Sequence, residues 1–541
     1  DSSTSRGLGD VYKRQSSNYV RISDVTIPHT VIDTLRQTFI RLNYTIDGLH
    51  DLLGDVAFSA LFRHEPVPVW LATDHSRDND THDLAQLVRL LLLGDSMSAQ
   101  DIGALFRIQD DDTLASFLNC ALFTSSDGMN YQVALDVRPI DTGFGVQWVF
   151  SDLDGALFPA KTHDDHVLGV GEASLSLLRS TPIEPVNSLL DIGTGCGIQT
   201  LHAAHYANDI VATDLSPRCC ELAKATLAIN QIPVASRDDS SATAQTMVDI
   251  RQGSWFEPVH DQQFDAIVAN PPFVVASQHI THSYRDSSLD LDGATQLMIE
   301  NAPLHLKEGG HATILGAWVH CSDEDYRARL SSWIAPHGVD AWIVERDCVD
   351  PALYVSTWMK DSGRDPADPQ WHNYAADWLT HFSDNNVEGV GFGIIFLRKT
   401  TKPSSLMIEE LTTPSGDALA AECLARWERW DNLQRWDDEN LLSQHFALSP
   451  QTVFIETATP SLQGQGTTTS SLVVSRADMP SFRHTIDESL RAFLNGLSRE
   501  GLSAGETAQL LCTVQNEDWT VFRSAICQAL YTLYLHGIIT L

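Results

Sequence analysis

Phe264-Asp-Ala-Ile-Val-Ala-Asn-Pro-Pro-Phe273 is the stretch on which the reading of this chain turns. Phe264 to Ala269 has the short apolar character of a buried strand. Asn270-Pro-Pro-Phe273 ends it, because two successive prolines lack the amide hydrogens that a buried ladder needs. The carbonyls of Asn270 and Pro271 are left to point out of the strand end. A main-chain oxygen there and the Asn270 side-chain oxygen give two acceptors for a target NH2 group, with Phe273 placed to stack on its plane. Taken alone, the segment is equally a strand followed by a Pro-Pro turn. The glycine-rich segment upstream separates the two readings.

That segment is Leu190-Asp-Ile-Gly-Thr-Gly-Cys-Gly197, which follows one strand-like run and opens a helical one. Gly193, Gly195 and Gly197 permit a tight turn and close approach of a ligand to main-chain amides. The spacing departs from the Gly-x-Gly-x-x-Gly dinucleotide fingerprint, and no Lys-Ser/Thr follows as in a phosphate-binding loop. Asp191 would repel a pyrophosphate but suits the ammonium of an amino-acid moiety. Asp214 closes the next strand, where a carboxylate can accept both hydroxyls of a ribose. Loop, Asp214 and Asn-Pro-Pro-Phe together fit S-adenosylmethionine best.

The segments around these motifs alternate between strand and helix: Ser188–Ile192, Ile198–Tyr206, Ile210–Thr213, Arg218–Asn230, Val248–Gln252, Phe264–Ala269, Ala294–Leu306 and Ala312–Leu315. Such alternation predicts an α/β fold, a Rossmann-like doubly wound parallel sheet. Gly309-Gly310 reads as a helix C-cap before the strand at Ala312. Ala341–Val344 and Gly393–Leu397 read as two further strands, with a helix near 371–382 between them.

This central domain is expected over 156–400. A domain over 16–155 precedes it, with helices at 31–42, 46–62, 84–93, 98–106 and 112–123, then a hairpin at Asp127-Gly128 and a strand at 131–137. Helices followed by a hairpin are the order of a winged helix. Over 401–541 a C-terminal helical domain is expected, also winged-helix-like, with helices at 419–430, 486–497, 503–514 and 519–534 and a low-complexity loop at 464–471. Residues 1–15 carry no periodic pattern and read as a non-native tail.

Charge limits the partners. With 35 basic against 71 acidic residues, the net charge of −36 repels nucleic-acid phosphates and anionic lipid. Residues 16–155 hold 8 arginines and no lysine against 20 acidic residues, so a recognition helix for DNA is not favoured. Nine cysteines show no metal-ligand spacing and no Cys-x-x-Cys pair, which reads as reduced thiols in the cytoplasm. No run is long and apolar enough to predict a membrane span, and no membrane partner is expected. No metal is expected either: His163-Asp-Asp-His166 reads as a solvated loop.

With these motifs in hand, Leu189 to Leu315 resembles class I S-adenosylmethionine-dependent methyltransferases, and among them the HemK-type release-factor glutamine methyltransferases and related amino-group N-methyltransferases. The likeness rests on Leu190–Gly197, Ala212-Thr-Asp-Leu-Ser-Pro217, Asn230, Gln252-Gly-Ser-Trp-Phe256 and Phe264–Phe273. It implies that Asp191, Gly193, Thr194, Gly195, Gly197, Asp214, Leu215, Ser254, Trp255 and Asn270 bind S-adenosyl-L-methionine. It implies catalytic roles for Asn270, Pro271 and Phe273, with Pro272 and Phe273 meeting the substrate. Tyr284 and Arg285 follow the Pro-Pro turn, and from that position they read as part of a substrate-facing loop or equally as an ordinary acidic loop capping the helix at Gly293. Ser254 stands where an acidic residue is usual. Val167-Leu-Gly-Val-Gly-Glu-Ala-Ser174 lacks the Pro-Arg-Pro-Glu-Thr pattern of the glutamine enzymes, with Glu172 the single match. The expected activity is methyl transfer to a planar amino nitrogen, with a protein glutamine as first acceptor and a translation release factor as the implied partner. Adenine or guanine of RNA or DNA is the alternative, and a non-catalytic cofactor-binding scaffold the third reading.

Overall fold

The computed structural model describes residues 26–541 apart from 76–80, 156, 159–164, 236–245, 277–288, 362–368, 412–418, 461–463, 465, 479 and 481. The tail expected over 1–15 lies outside the described residues, as do Tyr284 and Arg285.

The N-terminal part opens with helices His29–Leu42, Ile46–Phe62, Pro66–His75 and His82–Leu91. The second of these is kinked at Gly54, where φ is +69°. Strand β1 (Met97–Ser98), helices Ala99–Leu105 and Asp111–Leu118, then β2 (Phe123–Thr124) and β3 (Asn130–Val133) follow, and the three strands pair in the order β1-β3-β2. The single strand expected at 131–137 is two, because β4 (Leu135–Asp141) leaves that sheet to form a hairpin with β5 (Val146–Asp152). This hairpin docks on the central domain. Phe150 N–H donates to Thr226 Oγ1 at 3.0 Å, and Asp152 holds Arg218 in a buried ion pair. His166 is 3% exposed and faces Asp152, so the solvated loop expected at 163–166 does not extend to it.

The central sheet has eight strands: β6 (Val186–Ile192), β7 (Ala207–Asp214), β8 (Met247–Gln252), β9 (Phe264–Ala269), β10 (Leu306–Cys321), β11 (His337–Val349), β12 (Val387–Pro403) and β13 (Ser405–Glu410), in the order β13-β11-β12-β10-β9-β6-β7-β8. It is mixed, not wholly parallel as expected, since β12 runs antiparallel to both β10 and β11. Helices Pro351–Asp361 and Pro369–Asp384 follow β11 and pack with Val387 and Val390 at the start of β12, so the chain re-enters the sheet beside the end of β11 and must run back. The sheet also continues past the boundary expected at 400, because β13 pairs in parallel with β11. Gly309-Gly310 is no helix cap. The helix Gly293–Asn301 ends earlier, and the two glycines bulge β10 where its pairing with β9 slips between Leu306 and His311.

In the C-terminal part, helix Leu419–Leu433 packs on the sheet through Cys423, Trp427 and Trp430, in one cluster with Trp342, Val344 and Phe396. Strand β14 (Ala447–Leu448) pairs with β18 (Ile539–Thr540), and β15 (Thr452–Pro460), β16 (Thr467–Arg476) and β17 (His484–Thr485) form a second small sheet. Much of the loop expected at 464–471 is therefore strand: β-branched threonines at 467–469 pair with 458–460. Helices Glu488–Gly496, Ala504–Gln515 and Trp519–Leu535 complete the fold.

Candidate active site

Register brings the sequence motifs together. Ile192 of β6 pairs with Thr213 of β7 and with Ala269 of β9, and Asp214 pairs with Gln252 of β8. The residues that follow, Gly193, Leu215, Gly253 to Trp255 and Asn270, therefore leave the sheet in one row at its carboxyl edge. Between β6 and β9 the strand order reverses, and ligands of open α/β sheets bind in the crevice at such a point.

The glycine loop is held from below. Gly193 and Thr194 donate their N–H groups to Thr213 O at 2.9 and 3.0 Å, and Gly195 N–H donates to Asp214 Oδ2 at 2.9 Å. Gly193, Gly195 and Gly197 have φ of +72°, +55° and +84°. At Gly197 a Cβ would also press to 3.0 Å from Ala223 Cα, so this glycine admits the helix behind it. Gly193 passes directly over the Asn270 carbonyl.

The two acids behave differently from a solvated pair. Asp191 is fully buried; its Oδ2 accepts the Thr194 and Thr200 hydroxyls at 2.7 and 2.6 Å, and its Oδ1 has no partner among the described residues. Burial, with the Asp214 charge adding to it, raises this carboxyl to about 6. Asp214 accepts Gly195 N–H and also Ser216 N–H at 2.9 Å, and burial raises its pKa. It anchors the loop, which the sequence reading did not anticipate. Leu215 is exposed, Ser254 half-buried, and Trp255 adopts a strained φ of +47°.

At the end of β9, Asn270 donates from Nδ2 to Ser174 Oγ at 3.4 Å. Its Oδ1 takes no hydrogen bond among the described residues, nor do the main-chain oxygens of Asn270 and Pro271. Ser174 lies on helix Glu172–Ser180, whose carbonyl there is tied to Gln199 Nε2 at 2.9 Å. Beyond Pro271, which is buried, and the half-buried Pro272, the chain is pinned by the insert: Val275 N–H donates to Tyr354 Oη at 2.7 Å, and Trp378 Nε1 donates to Val275 O at 2.9 Å. Phe273 is half-buried between the core of this insert and that of the C-terminal part, so only part of its ring is free to stack. Ser174, Tyr354 and Trp378 were not legible in advance. Asn230 holds Trp148 of β5 through both main-chain groups and is a joint between domains rather than a ligand group.

Comparison with known proteins decides what this edge belongs to. Residues 169–330 match the family model described as "Methyltransferase small domain". The central domain is an S-adenosylmethionine-dependent methyltransferase domain. Two further models, each described as a domain of unknown function, match 41–118 and 424–541. The release factor glutamine methyltransferase of Aliivibrio fischeri is 30% identical over 186 residues, covering 32% of this chain and 60% of the relative. The ribosomal protein uL3 glutamine methyltransferase of Bradyrhizobium diazoefficiens is 27% identical over 199 residues, covering 34% and 58%. The chain thus spans little more than half the length of these relatives. Among solved structures, ribosomal protein L11 methylase from Lactobacillus delbrueckii subsp. bulgaricus is similar at 22% identity and a TM-score of 0.21, over 31% of this chain and 70% of that one.

The methyltransferase domain meets the chemical demands of its cofactor. Asp191 Oδ1 is an orphaned buried acceptor suited to an ammonium, and the carboxylate oxygens of Asp214 retain lone pairs for hydroxyls. Among the described residues, no group of three or more His, Cys, Asp or Glu is placed to hold a metal ion, and no helix is long and apolar enough to cross a membrane.

Proposed function

We propose that this protein methylates a planar amide nitrogen, with a glutamine side chain of a protein as acceptor. The observation that carries the reading is the Asn270 carboxamide: its NH2 is taken by Ser174, which leaves Oδ1 as a fixed acceptor one residue beyond β9. Bound S-adenosylmethionine supplies a methyl group activated on a sulfonium. Asp191 would hold its ammonium, Asp214 its ribose hydroxyls, and Ser254 and Trp255 its adenine. Asn270 Oδ1 and Pro271 O accept the two N–H bonds of the acceptor amide, so that its lone pair is aimed and charge developing on nitrogen is favoured. Phe273 stacks on the amide plane through its free part. The surplus proton leaves to water, and no side-chain base is required.

The names of the relatives support a protein glutamine, and a release factor is the partner we favour. The excess of acidic residues weighs against a nucleic acid. All nine cysteines are free, in keeping with a place in the cytoplasm. The test is incubation of the full chain with methyl-labelled cofactor and cell extract, followed by separation of protein from nucleic acid. Label is expected in protein, as N-methylglutamine on hydrolysis by protease, and Asn270→Ala should lower the rate by about a hundredfold or more with cofactor affinity retained. Label in RNA or DNA, or an Asn270→Ala rate equal to the parent, overturns the proposal.

A further inference from the structure

Strand β12 carries Gly389, Gly391 and Gly393 at every second position, so over 389–393 one of its faces bears no side chain. Glycine weakens a strand interior, and in the middle of a sheet it marks a place where something must come close. Here side chains of β10 and β11 meet over the bare strand. A Cβ on Gly389 would lie 2.9 Å from Cys348 Sγ. One on Gly391 would strike the Glu345 carboxylate and come within 3.0 Å of His320 Nε2, and one on Gly393 would lie 2.6 Å from the Trp318 ring.

The cluster is ordered from the inside outward. Glu345, 6% exposed, accepts Trp318 Nε1–H at 2.7 Å through Oε2, and the same oxygen lies 2.7 Å from His320 Nε2. Tyr326 stacks on the imidazole at 4.1 Å and 20°. Cys348 lies beside His320 at the surface, since a Cβ on Gly389 would meet both Cys348 Sγ at 2.9 Å and His320 Cβ at 3.7 Å, and of the nine cysteines it is the exposed one. The titratable groups that face His320 are Glu345 and Cys348 on β11 and the Tyr326 phenol, itself bonded to Glu410, while β12 presents glycines. Burial pushes the imidazole pKa down, but the Glu345 carboxylate at 2.7 Å and the neighbouring Cys348 sulfur outweigh it and raise it to about 10. At neutral pH the sulfur therefore lies beside a cation, the setting that makes a thiol reactive.

We propose that Cys348, His320 and Glu345 form a peroxide-reactive thiolate site, separate from the methyl-transfer residues. The thiolate attacks one oxygen of a hydroperoxide, and an S–O bond forms as the O–O bond breaks. Sulfur is oxidised by two electrons to the sulfenic acid, the peroxide is reduced, and the leaving oxygen takes its proton from the His320 imidazolium. Glu345 holds that imidazolium in place. A hydroperoxide asks for only the two groups present, a thiolate and a proton donor.

The experiment treats the full chain with hydrogen peroxide, traps sulfenic acid with dimedone and reads each cysteine by mass spectrometry. Cys348 should react about tenfold or more faster than glutathione at pH 7. His320→Gln should lower the pH 7 rate roughly fivefold or more, while the variant keeps the parent's melting temperature. A Cys348 no faster than glutathione in the unmodified protein overturns the proposal without recourse to any variant. So does a Cys348 that iodoacetamide labels quickly at pH 7 but peroxide leaves untouched, or a His320→Gln protein that keeps the parent's pH 7 rate.

Discussion

Asp191 and Glu409 stand on strands of the same sheet, β6 and β13, at the methyltransferase edge and at the junction with the C-terminal part. Burial pushes both carboxyls toward the neutral form, but their partners differ. Around Asp191 are two threonine hydroxyls and another acid, with no cation among the described residues, and burial raises its pKa to about 6. Around Glu409 the His536 ring at 2.6 Å, the Arg426 guanidinium at 2.6 Å and Trp342 Nε1–H at 2.7 Å outweigh burial and lower it to about 2. One acid has its requirements met within the fold and serves stability. The other is left with an empty acceptor, which is what a site for a cationic ligand group needs.

The largest expected effect breaks the satisfied member. Glu409→Ala strands the buried Arg426 beside Trp342 and removes the acceptor of His536, and losing one partner of a buried pair costs about 3–5 kcal/mol. Urea denaturation at pH 7 should show this loss. The acid dependence has a defined sign. A carboxyl lowered by the fold contributes stability that is complete above its unfolded value near 4.5 and is lost as pH falls toward about 2, amounting to ~3 kcal/mol. The variant should therefore lose the parent's decline over that window. A Glu409→Ala protein as stable as the parent would mean that this junction contributes nothing.

A smaller effect, opposite in sign, is expected at Asp191. A carboxyl raised by the fold costs stability once ionised, so the penalty sets in as pH rises from about 4 to about 6 and persists above. Asp191→Asn removes the charge while the threonine hydroxyls can turn to suit the amide. The ligand-free variant should be more stable than the parent by about 1–3 kcal/mol at pH 7, with the gain vanishing near pH 4. Calorimetry should show weaker cofactor binding in the same protein. Equal stability at pH 7, or a gain that does not change with pH, would mean that Asp191 carries no unmet charge.

What the sequence disclosed follows the same division. Strands β6 to β9 and the glycine loop were legible because apolar runs, punctuating glycines and the Asn-Pro-Pro stop are local signals, and register then places Gly193, Asp214, Trp255 and Asn270 together. The direction of β12 was not, since it depends on where the helical insert returns the chain. β13 looked like the start of another domain because its partner, β11, lies far back in the chain. Arg426, His484 and His536 gave no warning of a shared network, for they converge on Glu409 through tertiary packing alone. Ser174 was passed over for the same reason: its contact with Asn270 spans 96 positions.

Ser174 is also where the smallest expected effect lies, and it tests the unmet side of the comparison most closely. Its hydroxyl takes the Asn270 NH2 at 3.4 Å, a long bond at a half-buried place, so its loss should cost the fold under ~0.5 kcal/mol. Its value lies in orientation. Without it the Asn270 carboxamide is free to turn, and under the proposed function a turned carboxamide would offer the acceptor nitrogen a donor where it needs an oxygen. Ser174→Ala should lower the single-turnover methyl-transfer rate by about 3–10-fold, the scale of one neutral hydrogen bond, with cofactor affinity unchanged. Ser174→Thr, which keeps the hydroxyl, should restore most of the rate. If rate, cofactor affinity and melting temperature fell together in Ser174→Ala, the residue would be packing helix 172–180 and no more. If the rate held, Asn270 would keep its orientation by other means.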